Sequence, residues 1–376
     1  MLPWSLIVNF RTINKLAVCC LLVIAMLTAR QLNAQYLTLE GQTGGFLTPT
    51  AYVVYMEKGE KFSHPAVGFH FIDASKVIGN IETFSITEAF YGRAEAGYTR
   101  SVHQFGDSGS GTTVLANAVL GSTSSSTAVP VTPDFSQLWN ASGMNIIHGK
   151  VIAIKDGAFG PLMPGVAVGG VIRIGDKLVS GEAGPQAVKL YDQYCLETSL
   201  CTPEAVPAAK SYTNEDVYVV ITKTWAKKPV PFLANLGWKA TNATIFGIGG
   251  QSTRFGGRLF GGLGIPLPVG HGIVAVPSAG FTQEPPTSKG LGPNPPAGIP
   301  LVAGKADLPT TMDYAVRVTQ RDKPHFAFDI GIGQVAGNIG SIPSLTYLPA
   351  PAPPVVYIPV NLQARKVVGM GLSYRY

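Results

Sequence analysis

Twelve segments of the chain alternate apolar residues with small or polar ones, and this alternation limits the possible folds more than any other feature. The segments are residues 66–73, 81–86, 90–99, 144–154, 166–174, 217–225, 232–241, 254–265, 272–282, 311–320, 325–335 and 361–376. A period of two places successive side chains on opposite faces of a β-strand. In 232–241, Leu236 and Trp238 share one face, and Asn235 and Lys239 share the other. Many segments have the length, about nine to twelve residues, that a tilted strand needs to cross a bilayer.

The connections between these segments alternate in length. Residues 87–89, 155–165, 226–231, 266–271 and 321–324 are short, whereas 100–143, 175–216, 283–310 and 336–360 are long and 242–253 is intermediate. Outer-membrane barrels have short turns at one rim and long loops at the other. The sequence therefore predicts an all-β fold, a transmembrane antiparallel up-and-down β-barrel of about 12 strands, with 10–14 compatible. A soluble secreted β-sandwich, whose apolar faces would form a core, is the alternative.

Composition agrees with a membrane barrel. Charged residues make up 13% of the chain, and there are 44 glycines. Beyond the N-terminal region no apolar run is long enough to span a bilayer, so a membrane form would cross with strands and would have lipid as its partner. The formal net charge of +6 is mild, so no nucleic acid partner is expected.

Residues 1–34 have the order of features found in a secretory signal peptide. Arg11 and Lys15 precede an apolar run over 16–27, and Ala34 ends a stretch of small residues. We expect cleavage after Ala34, which removes 34 of 376 residues and leaves 342. The leader carries three basic residues and no acid, so the net charge falls from +6 to about +3. An uncleaved anchor is the alternative, although the run is short for a bilayer.

Residues 35–65 lack strand alternation and are predicted to be an N-terminal lead-in or a plug, ahead of a barrel over 66–376. Two cysteines, Cys195 and Cys201, remain in a polar loop after the leader is removed. In an exported protein two close cysteines most simply form a disulfide, which we predict here.

The last strand ends the chain on an aromatic residue. Its apolar face carries Val368, Met370, Leu372, Tyr374 and Tyr376. This strand resembles the C-terminal sorting strand of Gram-negative outer-membrane barrels, which typically ends in an aromatic residue. The resemblance implies delivery to the bacterial outer membrane and recognition by the barrel-assembly machinery.

A second resemblance covers about a third of the chain. It rests on the strand from Tyr218 to Lys223, the strand from Asn235 to Asn242, the glycine-rich stretch Phe246 to Gly250, and the early GGFLTPTA at Gly44 to Ala51. These motifs resemble an uncharacterised family of Gram-negative outer-membrane proteins, known as domain of unknown function 3034. The resemblance implies an outer-membrane barrel and brings no known ligand or catalytic residue.

One hairpin can be predicted to the residue. If Asp322 to Pro324 form the turn, the numbers of paired residues sum to 646. The predicted pairs are Tyr314 with Ile332 and Val316 with Ile330 on the lipid face, and Arg317 with Asp329 inside. A cross-strand pair of opposite charges contributes roughly 0.2–1 kcal/mol.

The alternation also predicts which charged residues face the lumen. They are Arg93, Lys150, Arg173, Lys239, Arg258, Arg317, Arg365 and Arg375 against Glu95, Asp313 and Asp329. Such an excess of cations predicts a passive channel or transport-associated barrel whose lumen prefers anions. The solute stays unknown. The alternative is a closed structural or adhesive barrel, filled by a hydrogen-bonded ladder and acting through external loops 100–143 and 283–310.

No catalytic site is predicted. Residues Gly106 to Gly111 resemble the nucleophile segment of trypsin-like proteases, but the matching His and Asp segments of that family are missing from the sequence. His70, His148 and His325 lie in or beside strands without an adjacent serine pattern. The six histidines show no paired spacing for a metal and no phosphate-binding loop is present, so we expect a protein without enzymatic activity, cofactor or metal.

Overall fold

Antiparallel β-strands make up the regular structure of this protein, which we analysed as a computed structural model. The structure describes residues 36–74, 79–104, 142–176, 213–225, 231–243, 251–283, 285, 307–320, 325–343, 357–361 and 366–376. Within these ranges no helix is long and apolar enough to cross a membrane.

Sixteen strands occur in these residues. They are β1 Tyr36–Leu37, β2 Thr43–Gly44, β3 Ala66–Ala74, β4 Gly79–Phe90, β5 Ala94–Gln104, β6 Ser142–Ile154, β7 Gly165–Gly175, β8 Thr213–Trp225, β9 Phe232–Ala243, β10 Gln251–Gly264, β11 Leu267–Gly270, β12 Ile273–Thr282, β13 Asp307–Gln320, β14 Phe326–Pro343, β15 Tyr357–Asn361 and β16 Lys366–Arg375.

Twelve of the strands close one antiparallel barrel. Strands β3 to β10 pair in chain order, β10 pairs with β12, and β12, β13, β14 and β16 follow until β16 pairs with β3. The short strands β11 and β15 extend the sheet beside β12 and β14, and β1 pairs only with β2. The predicted barrel of 12 strands is confirmed.

The two faces of the barrel differ as the period of two requires. Along β16, Val368, Met370, Leu372 and Tyr374 are exposed, whereas Ser373 and Arg375 are buried. The other wall strands likewise turn a row of large apolar side chains outward, whereas their inner face carries polar and charged residues together with some buried apolar ones. A closed barrel with an apolar exterior is stable when lipid covers that exterior. A soluble sandwich is excluded, because its apolar faces would pack into a core.

The predicted β13–β14 register is confirmed residue by residue. Tyr314 lies opposite Ile332, Val316 opposite Ile330, and Arg317 opposite Asp329. The side chains of the last pair form an inward ion pair, with 2.7 Å between Arg317 Nε and Asp329 Oδ1. The period of two combined with a short turn leaves one register that keeps both apolar faces outward.

One strand boundary differs from the prediction and moves a charged residue. The segment expected at 90–99 begins at Ala94, because residues 91–93 form the turn between β4 and β5. Tyr91 and Gly92 have positive φ angles of 52° and 58° there, which is the backbone of a tight hairpin turn. Arg93 is consequently exposed at the turn and does not line the lumen.

Short and long connections lie at opposite rims of the barrel. The described residues of the short-turn rim are 91–93, 155–164, 231, 265–272 and 325, and β3 begins and β16 ends there. The opposite rim is called the long-loop rim. Outside the described residues lie the leader 1–34, the Gly106 to Gly111 motif, Cys195, Cys201 and Arg365, so the predictions made for them stay predictions.

Candidate functional site

The N-terminal segment lies inside the barrel. Residues 36–56, which we call the plug, contact inward-facing side chains of strands on all sides of the wall. These contacts reach Glu95 on β5, Lys150 on β6, Arg173 on β7, Thr222 on β8, Asn235 on β9, Arg317 on β13 and Arg375 on β16. A segment that touches strands all around a closed sheet occupies its lumen. Of the two possibilities predicted for residues 35–65, the geometry favours a plug.

The plug begins as a small hairpin whose tip points toward the long-loop rim. Strands β1 and β2 pair Tyr36 with Gly44, and the Thr38 hydroxyl accepts hydrogen bonds from the backbone N–H groups of Glu40 and Gln42. Gly41 has a φ of +83°, and a Cβ there would overlap Thr99 Oγ1. Both the backbone and the wall therefore require glycine at the tip.

Gly41→Ala is expected to lower the free energy of unfolding by about 1–2 kcal/mol for the left-handed backbone alone, and further through the overlap with Thr99. The measurement is denaturant unfolding of the refolded protein. The matched control is Gly59→Ala, since Gly59 also has a positive φ of +99° but has nothing within 4 Å of an added Cβ. Equal losses in the two variants would mean that the tip does not pack against the wall.

Arg173 holds the tip of the hairpin. Its guanidinium donates to both carboxylate oxygens of Glu40, with 2.8 Å from Nη2 to Oε2, and donates from the same Nη2 to Asp216 Oδ2 at 2.7 Å. All three side chains are buried. A two-point contact between guanidinium and carboxylate is among the stronger hydrogen-bonded pairs in proteins, so Arg173 joins plug and wall.

Lys150 forms a second junction between plug and wall. Its ammonium group lies 3.0 Å from Glu95 Oε1 and donates to the carbonyl oxygens of Thr43 at 3.1 Å and Thr50 at 2.9 Å. Glu95 in turn accepts from the backbone N–H and the hydroxyl of Thr43, at 3.0 and 2.6 Å. The three protons of the ammonium group thus have three oxygen partners, two of which belong to the plug.

Arg317 forms a third junction. While Nε and Nη2 bind Asp329, Nη1 donates to the carbonyl oxygen of Gly44 at 2.8 Å. The guanidinium carbon also lies 5.8 Å from the ring centre of Tyr36. The cross-strand pair predicted from sequence therefore has the plug as an additional partner.

Apolar contacts accompany the polar junctions. Leu37, Leu39, Phe46 and Leu47 of the plug are buried, and Leu39, Phe46 and Leu47 form one cluster with inward-facing Ile72, Ile81, Met144, Ile146, Val171, Tyr218 and Phe260. Phe46 packs where β16 has glycine: a Cβ on Gly369 would lie 2.7 Å from Phe46 Cζ. The wall thus has a recess for the largest side chain of the plug.

Two plug tyrosines, the buried Tyr36 and the half-buried Tyr52, form hydrogen bonds at the short-turn rim. The Tyr36 hydroxyl accepts from Thr319 Oγ1 at 3.1 Å, and the Tyr52 hydroxyl donates to Asp156 Oδ2 at 2.7 Å. Burial raises the pKa of Tyr36 to about 12 and raises the pKa of Tyr52 beyond that. Both phenols therefore remain neutral hydrogen-bonding groups at physiological pH.

The other predicted lumen residues lie in several environments. Arg375 is buried and donates to the Tyr55 carbonyl oxygen at 3.2 Å, with its guanidinium over the Tyr55 ring. Lys239 and Arg258 are direct cross-strand neighbours on β9 and β10. Asp313 is buried. The histidines of β3 and β6 also meet the plug, since His70 packs against the Phe46 ring and a Cβ on Gly41 would lie 3.2 Å from His148 Cε1.

Sequence reasoning missed three charged residues of the interior. Glu40 lies in the segment without alternation, so nothing in the pattern indicated which way it points. Asp216 lies one residue before the predicted start of its strand, which begins at Thr213. Lys223 is buried where the alternation of β8 breaks, and it reaches Asp156 in a turn.

These additions reduce the predicted excess of positive charge. The buried ionisable Lys, Arg, Asp and Glu side chains of the described wall are Lys150, Arg173, Lys223, Lys239, Arg317 and Arg375 against Glu95, Asp216, Asp313 and Asp329. Glu40 of the plug adds a fifth carboxylate to the interior. The wall remains basic, but oxygen atoms of the plug bind four of its six cations, Lys150, Arg173, Arg317 and Arg375.

Space remains beside the plug. A cavity of about 60 Å³ separates the plug from β9, β10, β12 and β13, and a smaller one of about 20 Å³ lies between Glu40 and Lys239. Among the described residues, no three His, Cys, Asp or Glu side chains are grouped to hold a metal ion.

Comparison with known proteins gives likenesses in structure alone. No family model matches the chain, so the resemblance to domain of unknown function 3034 stays a prediction. No curated protein matches either. The chain is similar to the KdgM porin (8% identity, 83% of this chain and 99% of that one, TM-score 0.39). It is also similar to LpxR from Salmonella typhimurium (7% identity, 83% and 100%, TM-score 0.39) and to the NanC porin (8%, 83% and 100%, 0.37).

Proposed function

We propose that this protein is a transport-associated barrel of the bacterial outer membrane, closed at rest by its own plug, with a basic wall that favours anions once the plug moves. The observation that carries this proposal is the capping of wall cations by plug oxygens. Arg173 is capped by the Glu40 carboxylate, Lys150 by the carbonyls of Thr43 and Thr50, and Arg317 by the carbonyl of Gly44.

The location follows from several features together. The apolar exterior needs lipid, the predicted signal peptide would provide export, and the apolar face of β16 resembles that of a sorting strand, the predicted contact for barrel-assembly machinery. Val368, Met370, Leu372, Tyr374 and Tyr376 are all exposed on the outer face, where such machinery could contact them. Together these features support an outer-membrane location.

Plug and wall meet partly through contacts that another oxygen ligand could replace. A carboxylate or phosphate of a solute offers the same kind of acceptor as Glu40 or a backbone carbonyl. With the plug displaced, the described wall presents to the lumen six cations that are buried in the plugged state, against four carboxylates. A lumen with such an excess concentrates anions, because its low-dielectric walls focus the field.

A closed structural or adhesive barrel is the second candidate, and the apolar plug core favours it. Burial of Leu39, Phe46 and Leu47 against the wall resembles permanent packing more than a gate. In this case function would reside in the external loops 100–143 and 283–310. Neither candidate assigns catalysis to the protein.

Planar-bilayer recording separates the two candidates. A variant lacking residues 36–56, shown to be folded by heat-modifiable migration in gels, is expected to conduct steadily. Its reversal potential under a salt gradient should show selectivity for anions. The intact chain is expected to remain mostly silent. Replacing both Lys239 and Arg258 with Glu in the deletion variant should shift the reversal potential in the direction that indicates cation selectivity. A folded deletion variant that never conducts would refute the channel proposal.

A further inference from the structure

The cavity beside the plug extends from mid-height of the barrel to the short-turn rim. Asp313 lies about midway along β13, whereas Leu233 and Pro266 line the cavity close to the short turns. The inner side is formed by the plug residues Gly44, Gly45, Phe46, Thr48 and Thr50. A volume of about 60 Å³ exceeds the roughly 10–15 Å³ that one water molecule needs on this measure. The cavity can therefore hold a small ligand with several waters.

Asp313 is the ionisable group of this cavity that lacks a counter-charge. It is 3% exposed, and its Oδ1 has no hydrogen-bond partner among the described residues. The other charged residues of the lining, Arg317 and Asp329, bind each other. By contrast, the wall carboxylates Glu95 and Asp216 each have a cation within 3.0 Å.

The neighbouring strand β12 leaves room for the Asp313 carboxylate. Its direct cross-strand neighbours are Gly280 on β12 and Gly333 on β14. A Cβ on Gly280 would overlap Asp313 Oδ1, so the carboxylate occupies space that any larger residue would fill. The absence of a side chain at Gly280 leaves the carboxylate its place on the cavity lining, and its Oδ1 has no hydrogen-bond partner among the described residues.

We propose that Asp313 binds a singly charged cation in the cavity between the plug and the wall. An ionised carboxylate buried without a partner is strongly unfavourable, and a bound cation removes this penalty. Neutral oxygens on the same lining, the hydroxyls of Thr48 and Ser278 and the amide of Asn235, can complete the coordination. One available carboxylate matches a single positive charge, whereas divalent ions usually take several carboxylates.

The inference does not require that the barrel conducts. It requires that the plug occupies the lumen, because plug residues form one side of the cavity. A cation bound between plug and wall stabilises the plugged state in proportion to its occupancy. The same chemistry could come from an inorganic ion or from the ammonium group of a small amine.

Rubidium provides a direct test. Crystals of the refolded protein soaked in rubidium chloride are expected to show an anomalous peak in contact with Asp313 Oδ1, and crystals of the Asp313→Asn variant are expected to lack it. The amide is isosteric with the carboxylate and removes only the charge. A cavity that contains water and no rubidium would overturn the proposal, since Asp313 would then be neutral through protonation.

A solution measurement keeps the test independent of crystals. The thermal midpoint of the refolded protein is compared in potassium, methylammonium and N-methylglucamine chlorides at equal ionic strength. We expect a higher midpoint in potassium, in methylammonium or in both, and the midpoint should rise with the logarithm of the cation's concentration. The cation that raises the midpoint more shows whether the site prefers an inorganic ion or an ammonium group. Asp313→Asn should abolish the difference, and Glu57→Gln, which removes an exposed carboxylate, should preserve it. Equal midpoints in all three salts, or a difference that survives in Asp313→Asn, would contradict the site.

Discussion

Replacing Arg173 with Met is expected to lower the free energy of unfolding by roughly 3–5 kcal/mol, the largest loss among single substitutions of charged residues in this protein. The substitution leaves Glu40 and Asp216 buried side by side without the cation that both now contact. Two neighbouring buried carboxylates cannot both remain ionised at low energy. The variant must either protonate one of them or release the hairpin tip. Guanidinium unfolding of the refolded protein measures the loss.

Arg100→Met is the matched control for this substitution. Arg100 also pairs with one carboxylate, Asp176, but the two side chains remain 31% and 27% exposed. Exposed pairs of this kind contribute about 0.2–1 kcal/mol, so this variant should be nearly as stable as the parent. Adding Glu40→Gln to Arg173→Met should restore part of the lost stability. If Arg173→Met costs no more than Arg100→Met, the ion pair does not hold the plug.

Phe46→Ala is expected to cost about 3–5 kcal/mol, as for other buried aromatic side chains. Phe46 fills the recess above Gly369 and packs against His70, so its removal leaves a cavity between the plug and the wall. Because the ring anchors the middle of the plug, we also expect brief openings in bilayer recordings that the parent protein lacks. Unfolding and single-channel recordings measure the two effects.

The outer wall offers a control for Phe46→Ala. Phe84 packs at a tilt against Phe69 across β3 and β4 but is 52% exposed on the lipid-facing side. Phe84→Ala removes the same number of atoms without opening an internal cavity, and it should not change conductance. If the two variants behave alike in recordings, Phe46 does not hold the plug closed.

The sequence predicted the wall well because one physical rule governs it. Lipid outside and polar groups inside force the period of two, and a short turn then fixes the register. Tyr314, Val316 and Arg317 consequently pair as predicted. The strand count followed from the same rule combined with the alternation of short and long connections.

The plug could not be placed by the same rule. Residues 36–56 contain two short strands of two residues each, and most of their wall contacts use backbone carbonyls and single side chains, which leave no periodic signal. Nothing in the sequence distinguishes Glu40 from other acidic residues, and its contact with Arg173 is evident only in the folded structure. The predicted lumen charge was too positive for this reason, since the acids that balance the cations lie in irregular segments or at strand ends.

Strand ends were the other source of error. Alternation continued through residues 90–93, so Arg93 was predicted inside, although the positive φ angles of Tyr91 and Gly92 turn the chain there. Conversely, β8 begins at Thr213 and includes Asp216, whose side chain faces inward. The predicted strand began at residue 217, so it did not include Asp216. Turn geometry depends on backbone angles that hydrophobic alternation does not report.

Occupation of the lumen by the plug is the central claim, and thiol labelling tests it most directly. In a chain beginning at residue 35 with Cys195 and Cys201 replaced by Ser, single cysteines are introduced at Ala51, which is 1% exposed, and at exposed Lys58. A water-soluble thiol reagent should modify the cysteine at 51 at least about 100-fold more slowly than that at 58, which corresponds to an opening free energy of the plug of at least roughly 2.7 kcal/mol. Equal rates at the two positions in the folded barrel would contradict the account, because the plug would then lie outside the lumen.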